Sequence, residues 1–239
     1  MQSIVVFAKS PTPGTVKTRL SPFLTSREAA ELYRAFVQDT LNTARSVANT
    51  QTSVAYSPAD AEPVLREIIG SPTVSWFAQS GESLGDRLLR AFRNTLVNDT
   101  MGVVTVGSDC PALPQHIFEQ AFDGLREHDV VLGPATDGGY YLIGLKNQRT
   151  HNDRYIDLFR DISWSTDLVY PQTIRAATTA GLSLLELPEW SDVDQAKVLL
   201  NLRQTIASIR DAGDRYTGAN SEVILMSMSE RLDRLQDEA

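Results

Sequence analysis

The chain has 239 residues, 42% of them hydrophobic and 22% charged, which is typical of a globular protein with one substantial core. Its formal net charge of -8 at pH 7 argues against a nucleic-acid partner, because proteins that bind nucleic acids need a broad basic face. The single cysteine excludes an intrachain disulfide, and we find neither a signal-peptide pattern nor the roughly 20 apolar residues of a membrane helix, so we expect a cytoplasmic protein without membrane contact.

The first predicted element is a strand over residues 4–8, whose continuous apolar run is typical of a central parallel strand. The loop that follows is stiffened by Pro11 and Pro13, and Gly14 lets its backbone turn or approach a ligand. Three cations belong to this loop: Lys9, Lys17 and Arg19. Clustered positive charge past the end of a strand indicates a phosphate site, although a solvated basic loop is the alternative.

Strands and helices then alternate. Thr25 and Glu28 form a capping-box pattern, which predicts a long helix whose apolar stripe, including Tyr33, we interpret as core packing alone. Next come a strand over 52–56, a helix over 61–69, a strand over 73–78 and a helix that begins after Ser83. Gly81 lies in the loop before that helix, where it either shapes the turn or helps to line a ligand pocket.

Asp109 directly follows a buried strand predicted over 101–107. A carboxylate at this place can hold a hard cation such as Mg²⁺, which phosphate oxygens also bind. The alternative is that Asp109 caps the helix after Pro111.

Asp137, Gly138 and Gly139 form a turn between strands predicted over 130–132 and 140–145. The connection is too short for a crossover, so the second strand should be antiparallel. Two roles of Asp137 stay open, an Asx turn and a contact with a hydroxylated substrate beside Tyr140.

The remaining predicted elements are a helix over 167–180, a strand over 182–187, a helix through Ile209 and a helical segment over 220–239. Asp192 and Asp194 precede the predicted helix that runs through Ile209 and could cap that helix without any ligand. We expect the last segment to pack on its own domain rather than on a second copy in a homodimer.

Other catalytic chemistries have weaker support. His116, His128 and His151 show no metal-ligand spacing and no pairing with a nucleophile. Cys110 lies next to a carboxylate that would raise the pKa of its thiol, so we interpret it as a small buried residue.

Several motifs together resemble those of small bacterial GT-A-like proteins, the rSAM/selenodomain-associated transferases or arsenosugar-biosynthesis glycosyltransferases. The resemblance extends from residue 4 to about residue 200 and rests on four stretches: residues 7–20, residues 107–113, residues 137–145 and Trp164-Ser165-Thr166. More distantly, the chain is similar to 2-phospho-lactate guanylyltransferase and molybdenum-cofactor guanylyltransferase. The resemblance implies a nucleotide-diphospho-sugar transferase fold, an α/β domain with a mixed, mainly parallel sheet and helices on both faces.

The resemblance also implies site residues. Lys9, Lys17 and Arg19 would contact the donor's phosphates. We also expect Pro13, Gly14, Gly81 and Ser108, which lie in loops that follow predicted strands, to bind the nucleotide with them. Mg²⁺ or Mn²⁺ would be held by Asp109, with Asp194 completing the site, although the residues after Asp194 depart from the family's pattern and leave Asp192 as an alternative. A further expectation comes from topology and not from the resemblance. If the basic loop and Asp109 end neighbouring parallel strands, they define the diphosphate position, and Asp137, Gly138, Gly139 and Tyr140 should lie beside it and face the transferred group.

These inferences predict a transferase domain over 1–212 and an appended helical segment over 213–239. We expect a glycosyltransferase that uses a nucleotide sugar and a small-molecule acceptor, with Asp109, Asp137, Lys17 and Arg19 as its catalytic residues. One alternative is a nucleotidyltransferase that joins a nucleoside triphosphate to a phosphorylated small molecule. The other is a nucleotide-binding module without turnover.

Overall fold

The computed structural model describes residues 1–70, 73–97, 99–148, 152–214 and 216–237. In these ranges the chain forms one seven-stranded sheet. Its strands are β1 (Gln2–Lys9), β2 (Thr50–Ser57), β3 (Ser75–Ala78), β4 (Gly102–Gly107), β5 (Val130–Pro134), β6 (Tyr140–Lys146) and β7 (Leu184–Glu186). The α-helices of the same ranges are α1 (Ser26–Ser46), α2 (Glu62–Ile69), α3 (Leu84–Thr95), α4 (Gln115–Glu127), α5 (Val169–Thr179), α6 (Ala196–Asp211), α7 (Ala219–Ser227) and α8 (Ser229–Asp237).

The strand order is β3-β2-β1-β4-β6-β5-β7, and only β6 runs antiparallel to its neighbours. This confirms the predicted mixed, mainly parallel sheet and the antiparallel strand after the Gly-Gly turn. β1 pairs in parallel with both β2 and β4. The loops that follow β1 and β4 therefore emerge side by side at one edge of the sheet.

Apolar side chains cover both faces of the sheet, as the pattern of buried strands predicts. On one face α1, α4, α6 and the C-terminal helices enclose the larger cluster of buried residues. On the other face α3, α5 and a 3₁₀ helix over Asn152–Phe159 enclose a second cluster. No helix in the described ranges is long and apolar enough to cross a membrane.

The predicted helix starts are confirmed where local hydrogen bonding defines them. Thr25 and Glu28 form both bonds of a capping box at the start of α1. Ser83 and Asp86 do the same for α3. Both boxes depend on side chains only three residues apart, so the sequence pattern alone is sufficient to predict them.

The C-terminal prediction of a single helix is wrong, because the segment forms α7 and α8 with a break at Met228. The Ser227 hydroxyl donates to the Ile224 carbonyl at 2.7 Å, a bond that competes with regular helix geometry. Met228 itself is buried in the core. α7 packs against α1 of the same chain. Residues 215, 238 and 239 of the predicted segment lie outside the described residues.

The predicted helix over 167–180 is found as the shorter α5. The 3₁₀ helix over Asn152–Phe159 was not predicted from the sequence, although its Tyr155, Leu158 and Phe159 are buried.

Candidate active site

A cleft of about 720 Å³ lies at the carboxyl-terminal ends of β1 and β4. It is walled by the basic loop, the Ser108–Cys110 turn, the start of α3, the start of β6 and the segment before α6. Seven of the predicted site residues line it: Lys9, Lys17, Arg19, Ser108, Asp109, Tyr140 and Asp194. Residues that are far apart in the chain thus converge at the edge of the sheet where open α/β folds bind ligands.

The basic loop is anchored by apolar side chains. Val16 and Leu20 are buried, and the Ser10 amide donates to the Ser57 carbonyl at 2.8 Å, which ties the start of the loop to the end of β2. Lys17, between the two apolar anchors, has a φ of 49°. Such a left-handed conformation is uncommon outside glycine and is typically kept where the surrounding structure requires it.

The Lys17 ammonium lies between two carboxylates. It forms an ion pair with Asp109 and donates to Asp194 Oδ1 at 2.8 Å, while its side chain is only 3% exposed. It also lies over the Phe36 ring, 5.5 Å from the ring centre. Burial disfavours the charged form, but the two carboxylates favour it more strongly, so the pKa of Lys17 is raised above its ordinary value.

The other two cations of the loop are turned to solvent. The Arg19 side chain is 72% exposed, and its nearest carboxylate oxygen, Asp194 Oδ2, is 3.6 Å away. Lys9 is exposed and has no ion-pair partner in the described part of the chain. Both cations line the cleft, so they are available to an anionic ligand without first breaking a buried contact.

Asp109 and Asp194 are brought together by backbone pairing. The Val193 amide donates to the Asp109 carbonyl at 3.1 Å, which holds the segment before α6 against the turn after β4. Neither aspartate caps a helix, because Pro114 is the N-cap of α4 and Gln195 the N-cap of α6. The capping alternatives that the sequence left open are therefore excluded.

Asp192 has a different environment from its two neighbours in the site. It lies in the cleft and accepts a hydrogen bond from the Cys110 thiol at 2.9 Å. Burial raises the pKa of Asp192 to about 6, and the bond from Cys110 offsets part of that rise. Burial and the Asp192 charge in turn raise the pKa of Cys110, and the thiol is buried as predicted.

Tyr33 does more than pack in the core, and the prediction of core packing alone is wrong. Its hydroxyl accepts a hydrogen bond from the Lys9 amide at 2.9 Å and bonds the Ser108 hydroxyl at 2.7 Å. It also lines the cleft. Tyr33 therefore connects the loops after β1 and β4. Helical periodicity shows which face a residue lies on, but not how far its polar end reaches.

Six predicted site residues lie outside the cleft wall: Pro13, Gly14, Gly81, Asp137, Gly138 and Gly139. The carboxylate of Asp137 is exposed and accepts a bond from the Gly139 amide at 2.9 Å, which is the Asx turn of the alternative interpretation. Gly138 has a φ of 87°, and a Cβ there would lie 2.4 Å from the Asp167 backbone. Close packing therefore explains Gly138 without a ligand.

An aromatic wall closes the side of the cleft next to β6. The rings of Tyr140 and Trp164 meet edge to face with centres 6.4 Å apart. Gly85 makes room for Trp164, because a Cβ there would come within 2.7 Å of the indole. The Tyr140 hydroxyl is buried and has no hydrogen-bond partner within the described ranges. Trp164 belongs to a motif noted in the sequence, but its position in the cleft was not predicted.

Arg87, on α3, also lines the cleft and was not predicted. Its Nε donates to the Gly81 carbonyl at 3.2 Å, which fixes the guanidinium beside the Gly81 loop. A helical arginine carries no sequence signal of this role, since surface arginines are common in helices.

Neither His116 nor His128 lines the cleft. His116 is exposed, and His128 contacts the Gly124 carbonyl of its own helix. His151 lies outside the described residues. Across the described part of the chain, no group of three or more His, Cys, Asp or Glu side chains could hold a metal ion by itself.

Comparison with known proteins identifies the family. Residues 40–166 match the model of the family described as "Uncharacterized protein conserved in bacteria (DUF2064)". The chain belongs to this family. No curated protein matches it.

A solved structure from Desulfovibrio desulfuricans G20, provisionally named a nucleotide-diphospho-sugar transferase, is 32% identical to this member of the family, with a TM-score of 0.85. The match covers 98% of this chain and 97% of that one, and it establishes the nucleotide-diphospho-sugar transferase fold.

Two further structures share the fold alone. A 4-diphosphocytidyl-2C-methyl-D-erythritol synthase from Anaerococcus prevotii DSM 20548 has 10% identity and a TM-score of 0.56 over 87% of this chain and 96% of that one. A CMP:2-keto-3-deoxy-manno-octonic acid synthetase complexed with CTP has 13% identity and a TM-score of 0.51 over 87% of this chain and 99% of that one.

Proposed function

We propose that this protein is a metal-dependent transferase whose donor is a nucleotide sugar. The observation that carries the proposal is the pairing of solvent-facing cations with two converging carboxylates, Asp109 and Asp194, in one cleft at the ends of adjacent strands. The name of the Desulfovibrio relative supports the same class of donor.

Lys9 and Arg19 are the residues we assign to the donor's diphosphate. Both line the cleft and face solvent, and the arginine fork matches two phosphate oxygens at once. Binding there places the departing diphosphate beside fixed positive charge. Stabilising charge where it develops is the main way in which such a site lowers a reaction barrier.

Asp109 and Asp194 would hold the divalent cation. Oxygens of both carboxylates lie close to the same ammonium nitrogen, and the side chains are 43% and 39% exposed, so the pair opens to the cleft. Mg²⁺ is commonly bound by one or two carboxylates, with waters and substrate phosphates as its other ligands, so these residues fit it. When bound, the metal would neutralise part of the charge on the leaving diphosphate.

Glycosyl transfer is the reaction we favour, and the aromatic wall supports it. Tyr140 and Trp164 form an apolar surface beside the phosphate-binding side, which suits a sugar ring. In this reaction the acceptor oxygen bonds the anomeric carbon and releases its proton. The bond between that carbon and the diphosphate breaks, and the nucleoside diphosphate leaves with the electron pair.

Nucleotidyl transfer is the second candidate because Arg87 adds a fourth cation to the cleft. More positive charge suits a triphosphate donor. In this reaction a phosphate oxygen of the acceptor bonds the α-phosphorus of the donor, and pyrophosphate leaves. The two reactions therefore differ in their released product.

The test begins with a thermal-shift panel of nucleotide sugars and nucleoside triphosphates, each with Mn²⁺ or Mg²⁺, because binding to the native state raises the unfolding midpoint. The stabilising donor is then incubated with candidate acceptors. Release of a nucleoside diphosphate supports glycosyl transfer, and release of pyrophosphate supports the second candidate. Binding without any metal-dependent product would indicate a module without turnover.

Asp109→Asn should abolish the gain in donor affinity that the metal brings, while the fold stays intact, because an amide keeps the shape but loses the charge. Asp137→Asn is the matched control, since it removes the charge of an exposed aspartate. The asparagine side-chain oxygen can still accept the hydrogen bond from the Gly139 amide. We expect it to keep the metal-dependent gain, measured by calorimetric titration. An unchanged gain in Asp109→Asn would rule out Asp109 as a ligand.

A further inference from the structure

The placement of Lys17 is unusual for a loop cation. Exposed lysines normally keep their ammonium in water, whereas this side chain is 3% exposed and its loop backbone is left-handed, with a φ of 49°. The ammonium contacts Oδ1 of Asp109 and Oδ1 of Asp194, the latter at 2.8 Å. A conformation of this kind is retained only where neighbouring interactions require it.

The carboxylates that Lys17 contacts are those assigned above to the divalent cation. A metal on these oxygens and an ammonium on the same oxygens would repel each other at short range, because the site is partly shielded from water. The two cations therefore cannot both keep their full set of contacts. One of them has to move, and the lysine is attached to a flexible four-carbon chain.

We propose that Lys17 is an internal counter-ion that the divalent metal displaces, after which its ammonium turns to the donor's phosphates. The inference rests on the proposed function, since it takes Asp109 and Asp194 as metal ligands. In the free protein Lys17 holds the two carboxylates close together and offsets part of their negative charge. Metal alone then binds weakly, because it has to displace the ammonium. The donor strengthens metal binding because its phosphates accept the displaced ammonium, and the metal strengthens donor binding equally because linkage is reciprocal.

The first test measures Mn²⁺ binding alone, by electron paramagnetic resonance, in the wild type, Lys17→Met and Arg19→Gln. Removing the competitor should tighten Mn²⁺ binding about tenfold, within the usual range of coupling between two sites. Arg19→Gln is the matched control, because it also removes a cation close to Asp194 but one that does not bridge the carboxylates. We expect a much smaller change there.

Two outcomes would overturn the proposal. In one, Lys17→Met folds and binds Mn²⁺ no more tightly than the wild type. Lys17 would then keep its contacts with the two carboxylates whether or not the metal is bound. In the other, Arg19→Gln tightens binding as much as Lys17→Met, so that general electrostatics explains both.

The second test uses the wild type, so it remains decisive if Lys17→Met fails to fold. Acetic anhydride modifies accessible amines, and peptide mass spectrometry gives the rate at each lysine. Lys197 is the internal reference, because it is exposed and lies outside the cleft lining. Lys17 should be protected in the free protein, react faster with Mn²⁺, and be protected again when pyrophosphate is added with Mn²⁺. An unchanged rate with Mn²⁺ would exclude displacement, and continued reactivity with pyrophosphate would exclude transfer to phosphate.

Neither test uses a nucleotide donor or measures turnover. A thermal-shift panel without any stabilising donor would refute the proposed function and still leave the Mn²⁺ results interpretable. Conversely, a donor that binds with Mn²⁺ while Lys17 stays protected throughout would refute only the displacement.

Discussion

Tyr33 is the residue on which the geometry of the candidate site depends most directly. One hydroxyl joins the Lys9 amide and the Ser108 hydroxyl, and through them the loops after β1 and β4. Burial raises the pKa of Tyr33 to about 12, so the hydroxyl stays protonated and can donate as well as accept. We therefore regard it as a positioning residue for the phosphate-binding side of the cleft.

Tyr33→Phe should cost about 1–3 kcal/mol of stability in urea unfolding, because it leaves buried polar groups without a partner. It should also weaken donor binding. Tyr155→Phe is the matched control: its hydroxyl donates to the Lys146 carbonyl at 2.7 Å at the opposite end of β6. We expect a similar loss of stability there and unchanged donor binding. Equal loss of donor binding in both variants would show that reduced stability, and not the position of Tyr33 at the cleft, weakens binding.

At the residue scale, the sequence allows the position of Asp109 to be predicted because a strand and its following turn are local features. The partner of Lys17 could not be predicted in this way. Its bond to Asp194 joins residues 177 positions apart, and only the folded sheet brings them together. The same holds for Asp192, whose raised pKa results from burial that no local pattern reveals.

At the element scale, Glu28 links the start of α1 to the end of the chain. It completes the capping box with Thr25 and accepts a bond from Arg231 of α8 at 2.7 Å. The first interaction follows from a spacing of three residues, whereas the second joins residues 203 positions apart. The capping box was therefore predictable and the contact with α8 was not.

The interactions of Glu28 should make the free energy of unfolding depend on pH. The bonds from Arg231 and Thr25 lower the pKa of Glu28 from 4.5 to about 2. A carboxyl with a lowered pKa in the folded state contributes stability above pH 4.5, and this is lost as the pH falls towards 2. Arg231→Gln should therefore destabilise the protein above pH 4.5, by less than about 1 kcal/mol for so exposed a pair, and the difference from wild type should narrow on acidification.

Denaturant unfolding at several pH values measures this difference. Arg27→Gln is the control, because its bond to Glu31 lies on the exposed side of α1, with the Arg27 side chain 85% exposed. We expect it to follow the wild type at every pH. A difference between Arg231→Gln and wild type that is constant with pH would show that Glu28 is not the titrating group.

At the scale of the whole molecule, the alternation of strands and helices was predictable because each element has its own periodicity or cap. The strand order was not, since the neighbours of β1 come from later in the chain. The mixed sheet followed from the short turn before β6, which forces one antiparallel strand. The break between α7 and α8 was not predictable either, because the apolar residues keep a roughly helical spacing through it.

Asp39 connects the C-terminal segment to the domain. It lies on α1, is fully buried, and accepts bonds from the backbone amides of Asn220 and Ser221 at 2.9 and 2.8 Å. A carboxylate at a helix N-terminus satisfies amides that have no partner within the helix. The segment from 213 onward should therefore unfold with the domain in one transition.

Asp39→Asn tests this anchor. Its amide presents a donor where the segment needs an acceptor, so we expect a loss of about 1–3 kcal/mol and faster hydrogen exchange in α7. Asp233→Asn is the control, because Asp233 also joins the segment to the domain, through Arg203, but is 63% exposed. Its effect should stay within about 0.5 kcal/mol. Equal exchange in both variants would mean that Asp39 is dispensable for docking.

Burial of Cys110 has a practical consequence for spectroscopy. It is the sole cysteine of the chain, it is 2% exposed, and burial keeps its thiol protonated by raising its pKa. Alkylating dyes and spin labels should therefore not react with Cys110 under native conditions. A cysteine introduced at Leu84, 45% exposed at the cleft, or at Tyr216, 83% exposed and far along the chain, would then carry the only label. Movements at the mouth of the cleft could be followed in an otherwise unaltered protein.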